Sequence, residues 1–244
     1  MSSTPILVAS HLCASYVRGM PIVHDISVEV APREVVALIG PNGAGKSTFM
    51  KAIAGLLTVE RGKVHLADKD ITAQPTHALA GSGLGFVPQT GNIFPSLSIE
   101  DNLAAGGHTL RRSLVRERLQ RAFDQFPALA QRRSAAANVL SGGQRQMLAI
   151  ARALMTDPAV IMLDEPTAGL APKVVHEVLD ELRRLAQSGV AVLMVEQNAK
   201  AALGMADRAY VLVEGRNHAS GNARDLLADD SIGRAFLGAA KEKS

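Results

Sequence analysis

The sequence predicts an α/β fold with a mainly parallel central sheet, and three observations carry that expectation. An apolar run, Val35–Ile39, leads into a glycine-rich stretch and emerges from it at helical spacing through Phe49, Met50, Ile53 and Ala54. Two further short, wholly apolar runs, residues 159–163 and 190–195, read as strands buried on both faces. Each ends in polar residues, Asp164 and Glu165 in one case and Glu196 and Gln197 in the other. Between them Val175, Val178, Leu179, Leu182 and Leu185 fall on one face of an amphipathic helix, so strand and helix alternate.

Taken in order, residues 6–12 read as a first strand, 15–21 as a turn holding Tyr16, and 26–30 as a second strand antiparallel to the first. The helix that follows the glycine-rich stretch ends near Leu57. Residues 62–67 form another strand, 68–70 a turn, and 83–87 a strand that ends at Pro88 and Gln89. From Gln89 to about Asp157 the character becomes helical, an inserted subdomain that opens with Ile93, Phe94, Pro95 and Leu97 on a loop. Over residues 111–126, Leu114, Val115, Leu119, Ala122, Phe123 and Phe126 line one helix face, with Arg111, Arg112, Arg116, Arg118 and Arg121 elsewhere. Both phenylalanines belong to the apolar stripe, so the arginines read as a solvated face and no nucleic acid is expected. Residues 140–144 form a loop opening onto a helix over 145–155 with a core stripe of Met147, Leu148, Ala151 and Leu154. Tyr210 begins a last strand, which reaches a turn at Glu214 and Gly215, and a small helix near Phe236 ends the chain.

The glycine-rich stretch Gly40, Pro41, Asn42, Gly43, Ala44, Gly45, Lys46, Ser47, Thr48 fits the phosphate-loop pattern G-x-x-x-x-G-K-[ST] without a mismatch. Glycines let the backbone turn its N–H groups inward at a helix N-terminus, a donor set suited to polyphosphate. Lys46 would reach the β- and γ-phosphates, and Ser47 would offer its hydroxyl to Mg²⁺. Tyr16 has two readings: an exposed ring stacking on a purine, or a cap on a small sheet. Composition is ordinary for a folded protein, 47% hydrophobic and 20% charged, and the formal charge of +3 is too mild to demand nucleic acid. Cys13 is the one cysteine, which excludes an intrachain disulfide and a cysteine-based metal cluster. No secretory leader and no apolar run near the ~20 residues that span a bilayer are evident, so membrane attachment is expected only through a partner. A guanine-recognition [NT]-K-x-D motif is absent, against a GTPase.

The order of motifs narrows this further: residues 40–48, Gln89, then Leu140-Ser141-Gly142-Gly143-Gln144, then Leu163-Asp164-Glu165-Pro166. That order resembles the ATPase of ABC transporters, over nearly the whole chain from Ile6 to Leu237. Finer features resemble the ATPases of branched-chain amino acid importers, the LivF type: Asn92 to Leu97, Gln146 to Ile150, Gly169-Leu170-Ala171-Pro172 and Val195-Glu196-Gln197-Asn198-Ala199.

The resemblance implies a P-loop NTPase with a RecA-like core, a small antiparallel β-subdomain and a helical subdomain over about 90–157. It forms a single domain over 6–238 with a tail at 239–244. It also implies ATP and Mg²⁺ as cofactors and two ATPase subunits meeting head to tail, homo- or heterodimeric. Ser141, Gly142, Gly143 and Gln144 of one subunit would close on the nucleotide held by the other. Lys46 and the loop amides would offset phosphoryl charge, and Ser47, Gln89 and Asp164 would hold the metal. Glu165 would orient or deprotonate the attacking water, Gln89 would sense the γ-phosphate, and Tyr16 would stack on adenine. Gln197 stands where many relatives carry a switch histidine; it can hydrogen-bond a phosphate oxygen but cannot carry a proton. Ala171 stands where an aspartate is common. Partners would be transmembrane permease subunits and, indirectly, a substrate-binding protein, at the cytoplasmic face of the inner membrane. A urea or amide importer and a soluble, non-transport ABC ATPase are the alternative functions. Ile93, Phe94 and Leu97 would either pack under the helical subdomain or receive a short helix of the permease.

Overall fold

A computed structural model describes residues 4–229; the helix expected near Phe236 and the tail 239–244 lie outside the described residues. Strand β1 (Leu7–Ser15) pairs antiparallel with β2 (Val23–Val30), and β3 (Val35–Ile39) then runs into the glycine-rich loop and helix α1 (Lys46–Ile53). Next come β4 (Thr58–Leu66), the two-residue β5 (Lys69–Asp70), the short α2 (Thr76–Leu79) and β6 (Leu84–Val87). The helical insertion consists of α3 (Ile99–Gly106), α4 (Arg112–Gln125), α5 (Pro127–Ala130) and α6 (Gly142–Leu154). The chain then alternates β7 (Val160–Asp164), α7 (Pro172–Ser188), β8 (Ala191–Val195) and α8 (Ala199–Met205), and closes with the hairpin β9 (Arg208–Val213), β10 (Arg216–Asn222) and α9 (Ala223–Ala228).

Two sheets result. The smaller has the order β2-β1-β4-β5 and is antiparallel; the larger has the order β10-β9-β3-β8-β7-β6, parallel except for its edge strand β10. Every residue of β3, β7 and β8 is buried. Their side chains alternate between two cores: Val35, Ala37, Ile39, Ile161, Leu163, Val192 and Met194 face the helical side. Val36, Leu38, Val160, Met162, Ala191, Leu193 and Val195 face α1 and the smaller sheet. Such two-sided burial is what makes these strands unbroken apolar runs rather than alternating ones.

Several boundaries differ from the sequence expectation: β1 runs on to Ser15, past the expected end at residue 12, and β2 starts at Val23, before the expected residue 26. Helix α1 stops at Ile53 and β4 begins at Thr58, four residues before Gly62. Gly62 is an irregularity inside the strand: it has φ +90°, and a Cβ there would stand 2.5 Å from the His11 carbonyl oxygen, beside the register shift between Ser10 and Cys13. The expected turn at 68–70 contains strand β5. Helix α6 starts at Gly142, so Gly142, Gly143 and Gln144 belong to its first turn and not to a preceding loop. Strand β10 and helix α8 had no counterpart in the sequence reading, although Asn198 caps α8 by accepting from the Ala201 amide. On α4 the expected apolar face is inward, and Arg118 and Arg121 both bind Asp157, at 2.9 and 3.2 Å.

Candidate active site

Parallel strands point their carboxyl ends the same way, so β3, β8, β7 and β6, neighbours in that order, deliver Gly40, Gln197, Glu165 and Gln89 to one sheet edge. Gly40 leaves β3 at φ +143°, where a Cβ would lie 2.1 Å from the Leu212 carbonyl oxygen of β9. The loop then enters α1 through Gly45, in the left-handed conformation at the N-cap. Lys46, the first helical residue, is 5% exposed, and its Nζ donates to the carbonyls of Gly40 (2.8 Å) and Pro41 (2.9 Å). Burial lowers the Lys46 pKa, with Glu165 and Asp164 pulling it back up.

Ser47 donates its hydroxyl to Asp164 Oδ1 at 2.7 Å. Asp164 is buried, which raises its pKa, and the Ser47 hydrogen bond opposes that rise. A hydroxyl and a carboxylate oxygen placed together are hard oxygen donors of the kind Mg²⁺ takes. Glu165, one residue on, adopts φ +49°, unusual for a side chain of this size. Two glutamines from the flanking strand ends hold it: Gln89 Nε2 donates to one oxygen at 2.5 Å, and Gln197 Nε2 to both at 2.8 Å. Residues 42–48, with Ile22, Glu165 and Gln197, line an open cleft of about 410 Å³.

Tyr16 sits on the turn after β1 and is 54% exposed, and Lys51 of α1 lies 5.9 Å from the ring centroid. Ser141, Gly142, Gly143 and Gln144 do not line the cleft. They open α6 through a capping box in which Ser141 Oγ accepts from the Gln144 amide (3.3 Å) and Gln144 Oε1 accepts from the Ser141 amide (3.1 Å). Ile93 packs in the helical core, whereas Phe94 and Leu97 are 47% and 39% exposed. Phe94 stacks with Arg152 (4.9 Å to the centroid) at a second cleft of about 550 Å³ between α2, β6, α3 and α6.

Glu196, expected only as a polar strand end, pairs with Thr167. Glu196 is 3% exposed and accepts from the Thr167 amide (3.1 Å) and hydroxyl (2.8 Å). Burial pushes its carboxyl from 4.5 up to about 6, against those two bonds. The folded state therefore holds this proton more tightly than the unfolded chain does. The resulting stabilisation is complete below pH 4.5 and is lost as the pH rises through about 6, a change of roughly 2 kcal/mol. Denaturant titrations between pH 4.5 and 7 are expected to show wild type losing about that much relative to Glu196→Gln. Parallel pH profiles for the two proteins would contradict this.

Strand ends that gather a lysine-bearing loop, a hydroxyl–carboxylate pair and a tethered glutamate make this chain an ATPase of the phosphate-loop class. Residues 23–168 match the ABC transporter family, and the chain belongs to it. Among curated proteins it is 40% identical to the probable branched-chain amino acid transport ATP-binding protein LivF of Archaeoglobus fulgidus, over 91% of this chain and 94% of the other. It is 39% identical to the lipopolysaccharide export system ATP-binding protein LptB of Acidithiobacillus ferridurans, over 96% and 97%. Among solved structures, an ATP-binding cassette of an ABC transporter in its ADP conformation superposes with a TM-score of 0.85 at 28% identity, covering 97% of this chain and all of that one. Among the described residues no helix is long and apolar enough to cross a membrane.

Proposed function

We propose that the chain is the ATP-hydrolysing subunit that energises import of branched-chain or related hydrophobic amino acids. It works at the cytoplasmic face of the inner membrane with a second ABC ATPase subunit, permease subunits and, through them, a substrate-binding protein. The observation that carries the reading is the Gln197–Glu165–Gln89 cluster beside the Lys46 loop, and the 40% identity to LivF supports the class of cargo.

Triphosphate entering the cleft takes Lys46 away from the Gly40 and Pro41 carbonyls, exchanging neutral acceptors for anionic ones. The loop amides of residues 40–48 add further donors. Ser47, Asp164 and Gln89 would hold Mg²⁺, which would offset negative charge on the triphosphate. Glu165 positions the water and accepts its proton, with Gln89 and Gln197 orienting the carboxylate. Tyr16, exposed beside α1, stacks on the adenine. Ser141, Gly142, Gly143 and Gln144 stand away from their own cleft, which suits a role at the nucleotide of a second subunit. The cleft beside Phe94 receives a short permease helix.

The likeness to LptB favours a second reading, an export ATPase with a different cargo. The test is to recover the tagged full chain from membranes, identify its companions, and measure ATP turnover in proteoliposomes. Co-recovery of a permease and a second ATPase, with turnover stimulated by leucine, isoleucine or valine, is expected. Stimulation by urea or lipopolysaccharide instead, or recovery with ribosomes or DNA, would displace the proposal.

A further inference from the structure

Glu196 is a buried acid that hydrolysis as derived above does not use. It follows the five apolar residues of β8, and its amide donates to the Leu38 carbonyl of β3 at 3.2 Å, so its backbone is fixed to the sheet. Its carboxylate accepts both Thr167 donors, which anchors the segment that leaves Glu165. The next residue, Gln197, binds both oxygens of Glu165. One strand end therefore holds Glu165 twice, directly through Gln197 and from behind through Thr167.

The backbone at Glu165 needs such support. Its φ of +49° is a strained conformation for a non-glycine residue and persists only where neighbours over-determine it. On the amino side the Glu165 amide donates to the Val195 carbonyl at 3.0 Å, and on the carboxyl side the anchored residue is Thr167. Both anchors belong to the same end of β8, at Val195 and Glu196. A buried carboxylate is a poor way to stabilise a core, since an uncharged side chain of similar volume avoids the desolvation of the charge.

We propose, resting on the ATPase reading above, that Glu196 is a positioning residue: its paired hydrogen bonds to Thr167 lock the strained turn that carries Glu165 onto the strand end that carries Gln197. The reacting carboxylate and its glutamine then keep one mutual geometry, and the segment from Thr167 towards Ala171 inherits that placement through the Leu170 amide, which donates to the Thr167 carbonyl at 3.2 Å.

The test uses the full chain with its membrane partners for turnover, and the full chain alone for amide exchange. Glu196→Ala is expected to lower kcat roughly 10- to 100-fold with the KM for ATP within about threefold, because a displaced catalytic group loses rate rather than affinity. Amide exchange across residues 165–170 rises at least about tenfold in the same variant. Glu196→Gln, which keeps an oxygen for the Thr167 donors, restores most of the rate and the protection. Thr167→Val, close to isosteric, loses one bond and falls between; it decides the matter if Glu196→Ala does not fold. Wild-type kcat with unaltered exchange in Glu196→Ala overturns the proposal, and so does a Glu196→Gln variant as impaired as Glu196→Ala. If wild type with its partners fails to turn over ATP, the function proposed above fails instead, and exchange alone still decides the clamp.

Discussion

Replacing Glu165 by glutamine is expected to lower ATP turnover by about two to three orders of magnitude while leaving ATP affinity within about threefold. The magnitude is that of removing a positioned general base. The substitution preserves shape, and the one remaining amide oxygen can accept from both Gln89 and Gln197, while the third bond, from Gln197 to the other carboxylate oxygen, is lost because an NH2 group does not accept. Binding is expected to persist because, in the function proposed above, Lys46 and the loop amides take the phosphates and none of them is altered. Turnover and equilibrium nucleotide binding measured on the same preparation check both halves. Turnover within tenfold of wild type would remove Glu165 from the chemistry, and loss of binding would mean that the substitution had damaged the loop.

Gly40→Ala is expected to destabilise the fold by about 3–5 kcal/mol, combining overpacking with a strained backbone. The added Cβ meets a main-chain carbonyl, that of Leu212, which cannot rotate away as a side-chain tip could. Strands β3 and β9 are paired there through Ile39 and Val211, so relief requires these two neighbouring strands to part. Urea unfolding at constant m-value measures the loss, and saturating ATP recovers little of it because the same residue shapes the phosphate loop. A loss under 1 kcal/mol would show that β9 yields more readily than its burial implies.

The parts of the fold legible in the sequence were those where local pattern and tertiary environment agree. β3, β7 and β8 are covered on both faces and so could be written only in apolar residues, and each announces its end with the polar residues of the site. β10, Arg-Asn-His-Ala-Ser-Gly-Asn, carries no such pattern; it exists because β9 offers a free edge to pair with. At Gly142 and Gly143 the two glycines argued for a loop, while Ser141 and Gln144 three residues apart are a capping-box signal for a helix start, and the caps prevailed. The sequence marks Glu196 as a polar strand end but not as a buried group, because only the position of Thr167, 29 residues earlier, turns it inward. The pairing of Glu165 with both glutamines lay equally beyond reach, since the three residues are distant in sequence and meet through sheet order alone.

That sheet order governs how the protein acquires its activity during synthesis. β8 lies between β3 and β7, so the ribosome has released the lysine loop and the aspartate strand long before the strand that bridges them exists. A nascent chain truncated ahead of residue 190 lacks the central plank on which both depend, and pairings of such long range form slowly. The lysine loop and the aspartate strand are therefore joined into one sheet edge only once residues 191–195 have emerged, and the centre of each subunit is laid late.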